Sequence, residues 1–246
     1  MLRQVRSLLH KLRGRPVHTP LTREEWERKH EQKVAGDVAK ALPYLPERDP
    51  VLIDVGANYG LFTAAILRAR PDARAWLFEP VPEVFESCRD RFRDNPNVTV
   101  ENFGLGDVEE RVTIWKSQQN PGGNSMVRKL VDVVDAYTDF ETEEVQVRVF
   151  SDYARDAGLN RANFIKIDAE GYDYKVLWGM IPFLDACDPR PGILAELLQK
   201  GLHHDWDRQE SACRRLFDMG YEEVDLLKMA RIDDILFVPI SGSPTA

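Results

Sequence analysis

The sequence predicts an α/β fold in which a doubly wound, mostly parallel sheet is closed by an antiparallel C-terminal hairpin. Three observations carry that expectation. From residue 51 onward, short apolar runs of strand type alternate with helical stretches, the pattern of parallel strands joined by crossovers. The first run, Val51-Leu52-Ile53-Asp54-Val55, breaks into the glycine-bearing turn Gly56-Ala57-Asn58-Tyr59-Gly60 and passes at once into helical sequence. That strand, tight loop and helix start bring a backbone close to a nucleotide-like ligand. Near the end, Tyr221–Leu227 and Ile232–Val238 are strand-like runs too close together for a parallel crossover, so they must pair antiparallel.

The elements follow in order. Thr22-Arg23-Glu24-Glu25 is a capping-box pattern that opens a long polar helix toward Ala41, stopping before Pro43. Pro46 to Pro50 leads into the first strand, 51–55, which pairs with a helix over 59–69. Strand–helix pairs recur at 74–79 with 82–93 and at 163–168 with 172–180; between them lies a strand over 97–102 with an irregular link. A buried strand, 192–196, precedes a helix over about 206–218. Residues 112–150 interrupt this rhythm with two further strands, 112–115 and 145–149, around the loop Asn120-Pro121-Gly122-Gly123-Asn124-Ser125. Such an insertion supplies acceptor contacts or a lid, or is a plain surface hairpin. The expected organisation is one domain over residues 21–240 with an insertion around 112–150, a basic tail over 1–20 and a flexible tail over 241–246.

Composition narrows the function. The chain has 246 residues and a net charge of −8, yet residues 1–20 hold Arg3, Arg6, Lys11, Arg13 and Arg15 and no acid. The tail therefore carries +5 and the rest −13. An acidic body repels phosphate backbones, so no nucleic-acid partner is expected. The basic tail, with Leu2, Val5, Leu8, Leu9 and Leu12 at helical spacing, is either a solvated terminus or a contact with an anionic membrane surface. No apolar stretch reaches the ~20 residues needed to span a bilayer, and no signal peptide is visible. Cys88, Cys187 and Cys213 are widely separated, as in a cytoplasmic protein with reduced thiols.

The chemistry is read from the strand ends. A dinucleotide site has G-x-G-x-x-G; here the spacing is G-x-x-x-G with Asp54 just before the loop. A carboxylate repels a pyrophosphate but attracts an ammonium or a sulfonium, by roughly 1.5–3 kcal/mol for a charge-assisted hydrogen bond. S-adenosyl-L-methionine has a ribose, a cationic sulfur and an amino-acid tail, and no phosphate. Glu79, nineteen residues after Gly60 at the end of Ala75-Trp76-Leu77-Phe78-Glu79, is placed to accept hydrogen bonds from both ribose hydroxyls.

Three segments, Asp54-Val55-Gly56-Ala57-Asn58-Tyr59-Gly60, Phe78-Glu79-Pro80 and Phe164-Ile165-Lys166-Ile167-Asp168-Ala169-Glu170-Gly171, resemble the hallmarks of FkbM-type methyltransferases, with the third the most specific. The resemblance covers roughly residues 34–240. It implies a seven-stranded Rossmann-like sheet, S-adenosyl-L-methionine as donor and, for the family generally, O-methylation of acceptors that vary widely. Asp54, Gly56, Asn58, Gly60, Glu79, Pro80 and Asp168 match its donor-binding motifs, and Gly104, in Asn102-Phe103-Gly104-Leu105-Gly106-Asp107 after the third strand, is expected beside the adenine. Asp107 is alternatively a turn or helix cap.

Asp168 and Glu170 stand at i and i+2 of a strand exit, where extended backbone points both carboxylates to one face and repulsion raises one pKa toward that of a general base. One is expected to deprotonate an acceptor hydroxyl and the other to hold the donor's amino group. The inert alternative has Asp168 capping the next helix and Lys166 paired with Glu170. His203 or His204, after Glu196, is an alternative base. Asp168, Glu170 and Glu196 with a histidine also offer oxygen-rich ligands to a divalent metal, but no compact ligand motif supports one and none is assigned. The expected acceptor is a hydroxyl of a sugar, glycan or other small metabolite. The competing readings are a nicotinamide-dependent oxidoreductase, against which the glycine spacing and the hairpin speak, and a non-catalytic donor-binding scaffold. Sequence does not separate O- from N-acceptors or reveal an oligomeric state.

Overall fold

The computed structural model describes residues 22–117, 124–127, 140–198, 205–224 and 232–240. Among them seven strands form one sheet. Its centre is β1 (Val51–Val55), flanked by β2 (Arg74–Phe78) and β3 (Val98–Glu101) on one side. On the other lie β7 (Phe164–Ile167), β8 (Gly192–Leu198), β10 (Ile232–Pro239) and, at the edge, β9 (Tyr221–Val224). The order is β3-β2-β1-β7-β8-β10-β9; β3 through β8 are parallel, and β10 runs antiparallel to both neighbours. The expected seven strands and terminal antiparallel pair are both present.

The insertion builds a second sheet. β4 (Gly104–Gly106) lies parallel to β6 (Phe140–Val149), and β5 (Glu110–Ser117) lies antiparallel to it. The segment after the third strand, read as open backbone for an adenine, is thus itself a strand. Residues 120–123 of the expected loop lie outside the described residues, but Ser125 bridges Trp115 in antiparallel fashion. The tails over 1–20 and 241–246, and residues 225–227 of the hairpin, lie outside them too.

Among the described residues six α-helices cover the sheets: α1 (Arg23–Ala41), α2 (Leu61–Ala69), α3 (Pro82–Phe92), α4 (Phe150–Asp156), α5 (Asp173–Ala186) and α6 (Trp206–Asp218). The capping box of α1 is formed: Thr22 Oγ1 accepts from the Glu25 amide at 3.2 Å, and Glu25 accepts from the Thr22 amide at 2.8 Å. α5 runs past the expected end at 180, through Pro182. Proline has no amide hydrogen and crowds the preceding turn. Ser151 repairs the helix there, its hydroxyl accepting from the Phe183 amide at 3.1 Å and donating to the Gly179 carbonyl at 2.7 Å.

Alternation along the strands sorts the core into two layers. Val51, Ile53, Ile165 and Ile193 pack with Val176 and Met180 of α5. Leu52, Phe164, Leu194 and Leu236 pack on the opposite face with Ala41 of α1 and Phe62 and Ile66 of α2. Each such large side chain contributes about 1.5–3 kcal/mol by leaving water. The same alternation puts the polar members of these strands, Asp54, Lys166, Glu196 and Asp234, on the face that α1 covers.

Candidate active site at the carboxyl ends of the strands

A cleft of about 240 Å³ opens over the carboxyl ends of β1, β2 and β7, as ligands require in an open α/β sheet. Its walls include Asp54, Gly56, Asn58, Glu79, Pro80, Gly104, Asp168 and Glu170, so eight of the nine assigned residues that are described line one space. The ninth, Gly60, serves the loop. Its φ is 74°, and a Cβ there would run into Phe92 and Cys88. Gly56 (φ 70°) is needed because a Cβ would collide with the Asp168 carbonyl oxygen, so the first and fourth strand ends meet there backbone to backbone. His203 and His204 lie outside the described residues.

The end of the cleft at β1 and β2 is preorganised. Glu79 is buried, and its two carboxylate oxygens accept from the amides of Asn58 and Val81, each at 2.9 Å. Burial pushes its pKa up to about 7 in spite of those two bonds. Asp54 is fully buried; one oxygen accepts from the Thr63 hydroxyl at 2.7 Å and the other has no hydrogen-bond partner among the described residues. Burial raises its pKa, with Lys166, its register neighbour on β7, and Thr63 working in the opposite direction. A buried carboxylate oxygen left open costs free energy unless something completes it. An ammonium or an amide of a ligand would do so, and a pyrophosphate would not. Asn102 braces the second strand end by donating to the carbonyls of Glu79 and Pro80 at 3.0 and 3.1 Å. Asp107 caps nothing and pairs with Arg208.

The end of the cleft at β7 departs from the strand-exit picture. β7 stops at Ile167, and Glu170 sits in the left-handed region at φ 50°, so Asp168 and Glu170 do not share extended backbone. A tight loop brings them together instead: single carboxylate oxygens of Asp168, Glu170 and Glu196 all lie within 4.8 Å of one another. No side chain caps α5; Asp173, its first residue, instead ties the preceding loop, its carboxylate accepting from the amides of Ala169 at 2.8 Å and Gly171 at 2.9 Å. Lys166 pairs with Asp168 at 3.1 Å, not with Glu170. The insertion reaches this loop: Ser125 donates to the Glu170 carbonyl at 2.6 Å, and Ile114, Asn124 and Met126 line the cleft.

Charge then divides the carboxylates. Burial opposes ionisation of Asp168, but the Lys166 and Lys33 ammoniums outweigh it and hold its pKa well below the usual range. Burial, with Glu196 and Asp168 adding repulsion, holds Glu170 well above it. Burial and Asp168 push Glu196 up to about 8. Asp168 is the fixed anion, Glu196 exchanges its proton near pH 8, and Glu170 is held toward its protonated form.

Sequence reading missed what α1 contributes. Trp26, His30, Lys33, Val34 and Asp37 all line the cleft, and Trp26 stacks on His30 with ring centroids 4.0 Å apart. The Lys33 ammonium reaches Glu196 at 3.0 Å, Asp168 at 3.3 Å and Asp234 at 3.9 Å. A signal existed: residues 26, 30, 33, 37 and 41 repeat at helical spacing and define one face.

Comparison with known proteins agrees with this geometry. Residues 54–229 match the family described as the methyltransferase FkbM domain. Methyltransferase 1 of Beauveria bassiana is 30% identical over 146 residues, covering 54% of this chain and 59% of that protein. Methyltransferase sdnD of Sordaria araneosa is 26% identical over 201 residues, covering 67% and 78%. The 2-O-methyltransferase NoeI of Sinorhizobium fredii is 24% identical over 143 residues, covering 55% and 59%. The match thus spans 59% of the length of the first and third of these relatives. With a match over most of its length and the donor-motif acids gathered in one cleft, this chain belongs to the FkbM methyltransferase family.

Proposed function

We propose that the chain is an S-adenosyl-L-methionine-dependent O-methyltransferase whose acceptor is a hydroxyl of a sugar, glycan or other small metabolite. The observation that carries the donor assignment is the open oxygen of buried Asp54 in a cleft that also holds Glu79 on two backbone amides. Those groups suit an amino-acid moiety and a ribose and offer nothing to a pyrophosphate, which speaks against the nicotinamide alternative. The hydroxyl assignment is supported by Glu196, whose pKa is raised to about 8 beside Glu170, and by the name of the NoeI relative.

When bound, the donor supplies an activated methyl group on a cationic sulfur. This chain supplies placement. Glu79 would hold the ribose, Asp54 and Asp168 would hold the ammonium end, and the loop 168–171 with Ile114, Asn124 and Met126 would place the acceptor oxygen. Positioning of this kind is worth about 7–11 kcal/mol of barrier. The proton leaving the acceptor oxygen passes to Glu196. The setting belongs to the same proposal: Cys88, Cys187 and Cys213 are free thiols, as expected in the cytoplasm, and no helix among the described residues is long and apolar enough to cross a membrane.

The decisive experiment is calorimetric titration with S-adenosylhomocysteine, with NAD run alongside, followed by a screen of hydroxylated acceptors. Micromolar binding of the first alone is the expected outcome; binding of NAD alone would overturn the proposal, and donor binding with methyl transfer only to amines would overturn its hydroxyl part.

A further inference from the structure

We propose that Lys33 is the resident cation of the acceptor site: its ammonium occupies, among Asp168, Glu196 and Asp234, the place a divalent cation would otherwise take, and it donates to the acceptor oxygen as that oxygen loses its proton. The catalytic half of this inference rests on the hydroxyl-acceptor reading above; the occupancy half does not.

Geometry comes first. Four carboxylates, from the ends of β7 and β8, the loop after β7 and the β10 strand, stand on the face that α1 covers. Left alone, Asp168, Glu170 and Glu196 would repel one another across less than 4.8 Å. Two lysines meet that charge. Lys166 pairs with Asp168 at 3.1 Å and lies in register with Asp54. Lys33 alone spans Asp168, Glu196 and Asp234, and it comes from a helix outside the sheet's own crossovers. Other groups facing it are Asp37 from α1, which pairs with Lys40 at 3.3 Å, and Glu170 from the loop.

Donor counting supplies the rest. An ammonium has three N–H donors. Lys33 uses one on Glu196 at 3.0 Å and one on Asp168 at 3.3 Å, while Asp234, at 3.9 Å, is beyond hydrogen-bond reach. Lys33 also lines the cleft. One donor therefore remains for an oxygen entering beside Glu170. An ammonium there favours the anionic form of that oxygen, the role a metal ion plays at a developing alkoxide. The acceptor's proton passes to Glu196, and Lys33 keeps its own.

The test is titration of Mn²⁺ into the full-length protein and its variants, read by manganese EPR, with S-adenosylhomocysteine binding and cooperative melting checked for each. Removing the ammonium should leave a carboxylate cage, so Lys33→Met should bind Mn²⁺ about tenfold or more tightly than wild type. Lys33→Arg, which keeps the charge, should stay at the wild-type level, and adding Glu196→Gln to Lys33→Met should remove the gain. Wild type binding Mn²⁺ as tightly as Lys33→Met, whether both strongly or both weakly, overturns the inference. Should Lys33→Met fail to fold, reductive methylation of wild type followed by mass spectrometry decides. Lys33 should react about tenfold or more slowly than exposed Lys29, since its carboxylate partners hold it protonated, and equal rates overturn the inference. Loss of S-adenosylhomocysteine binding by wild type would instead sink the donor reading, leaving the manganese result to stand on its own.

Discussion

The backbone amide of Asn58 donates to the Glu79 carboxylate at 2.9 Å, tying the loop after the first strand to the end of the second. Asn58 takes a left-handed φ of 50° to do so, and the second carboxylate oxygen is held by Val81 at 2.9 Å. The residue expected to bind the ribose is thus also the brace of the loop beside it. Glu79→Ala should weaken S-adenosylhomocysteine binding by about tenfold or more and also lower the melting temperature, because two amides lose their acceptor. Calorimetry and thermal melting on one preparation check both effects; wild-type affinity in this variant would count against the ribose role.

Glu79 also gives the fold a pH signature. Its pKa is about 7 in the folded protein against an ordinary 4.5, so between those values the folded chain keeps a proton that the unfolded chain releases. The resulting stabilisation is full below pH 4.5 and is lost as pH rises through 7, for a total of roughly 3 kcal/mol from this group. Asp173, also raised to about 7 by burial, adds to the same slope. Melting temperature measured from pH 5 to pH 8 should therefore fall less steeply in Glu79→Gln than in wild type.

Asp173 organises the loop that carries the acceptor-side acids. Its carboxylate takes the amides of Ala169 and Gly171, which would otherwise lack this acceptor in the tight loop before α5. Asp173→Ala should destabilise the protein by about 1–3 kcal/mol and weaken S-adenosylhomocysteine binding, since Asp168 loses its support. Asp173→Asn, which retains an acceptor oxygen, should recover part of both in the same melting and calorimetric assays.

Gly56 admits no side chain. At φ 70° any L-residue is strained, and its Cβ would push against the Asp168 carbonyl oxygen. Gly56→Ala should cost about 2–4 kcal/mol by forcing β1 and β7 apart at the cleft. Equilibrium denaturation of the variant checks this, and a loss below that of an exposed control such as Gly36→Ala would contradict the reading; a Cβ added at Gly36 would meet nothing within 4 Å.

Local pattern was enough to place much of this site. Asp54 and Glu79 end apolar runs that can only be strands, and a strand end in a parallel sheet is where a ligand meets the protein. The antiparallel pairing of β9 and β10 followed from a connection too short for a crossover. The same local reading misplaced Glu170, because a left-handed residue after Ala169 is set by the Asp173 carboxylate and not by its own side chain. It also stopped α5 too early, since the Ser151 hydroxyl that carries the helix past Pro182 comes from a separate element.

What the sequence by itself determined is which residues stand at strand ends, for periodicity and turn chemistry act over a few neighbouring positions. What only the tertiary structure decided is how their charges are shared. Lys33 lies 135 residues from Asp168 and 163 from Glu196 along the chain, yet bonds to both. Nothing within one segment says that α1 covers that face of the sheet. Once it does, burial raises Glu170 and Glu196 while the Lys166 and Lys33 ammoniums lower Asp168, and the two effects together fix which acid is ionised and which holds a proton.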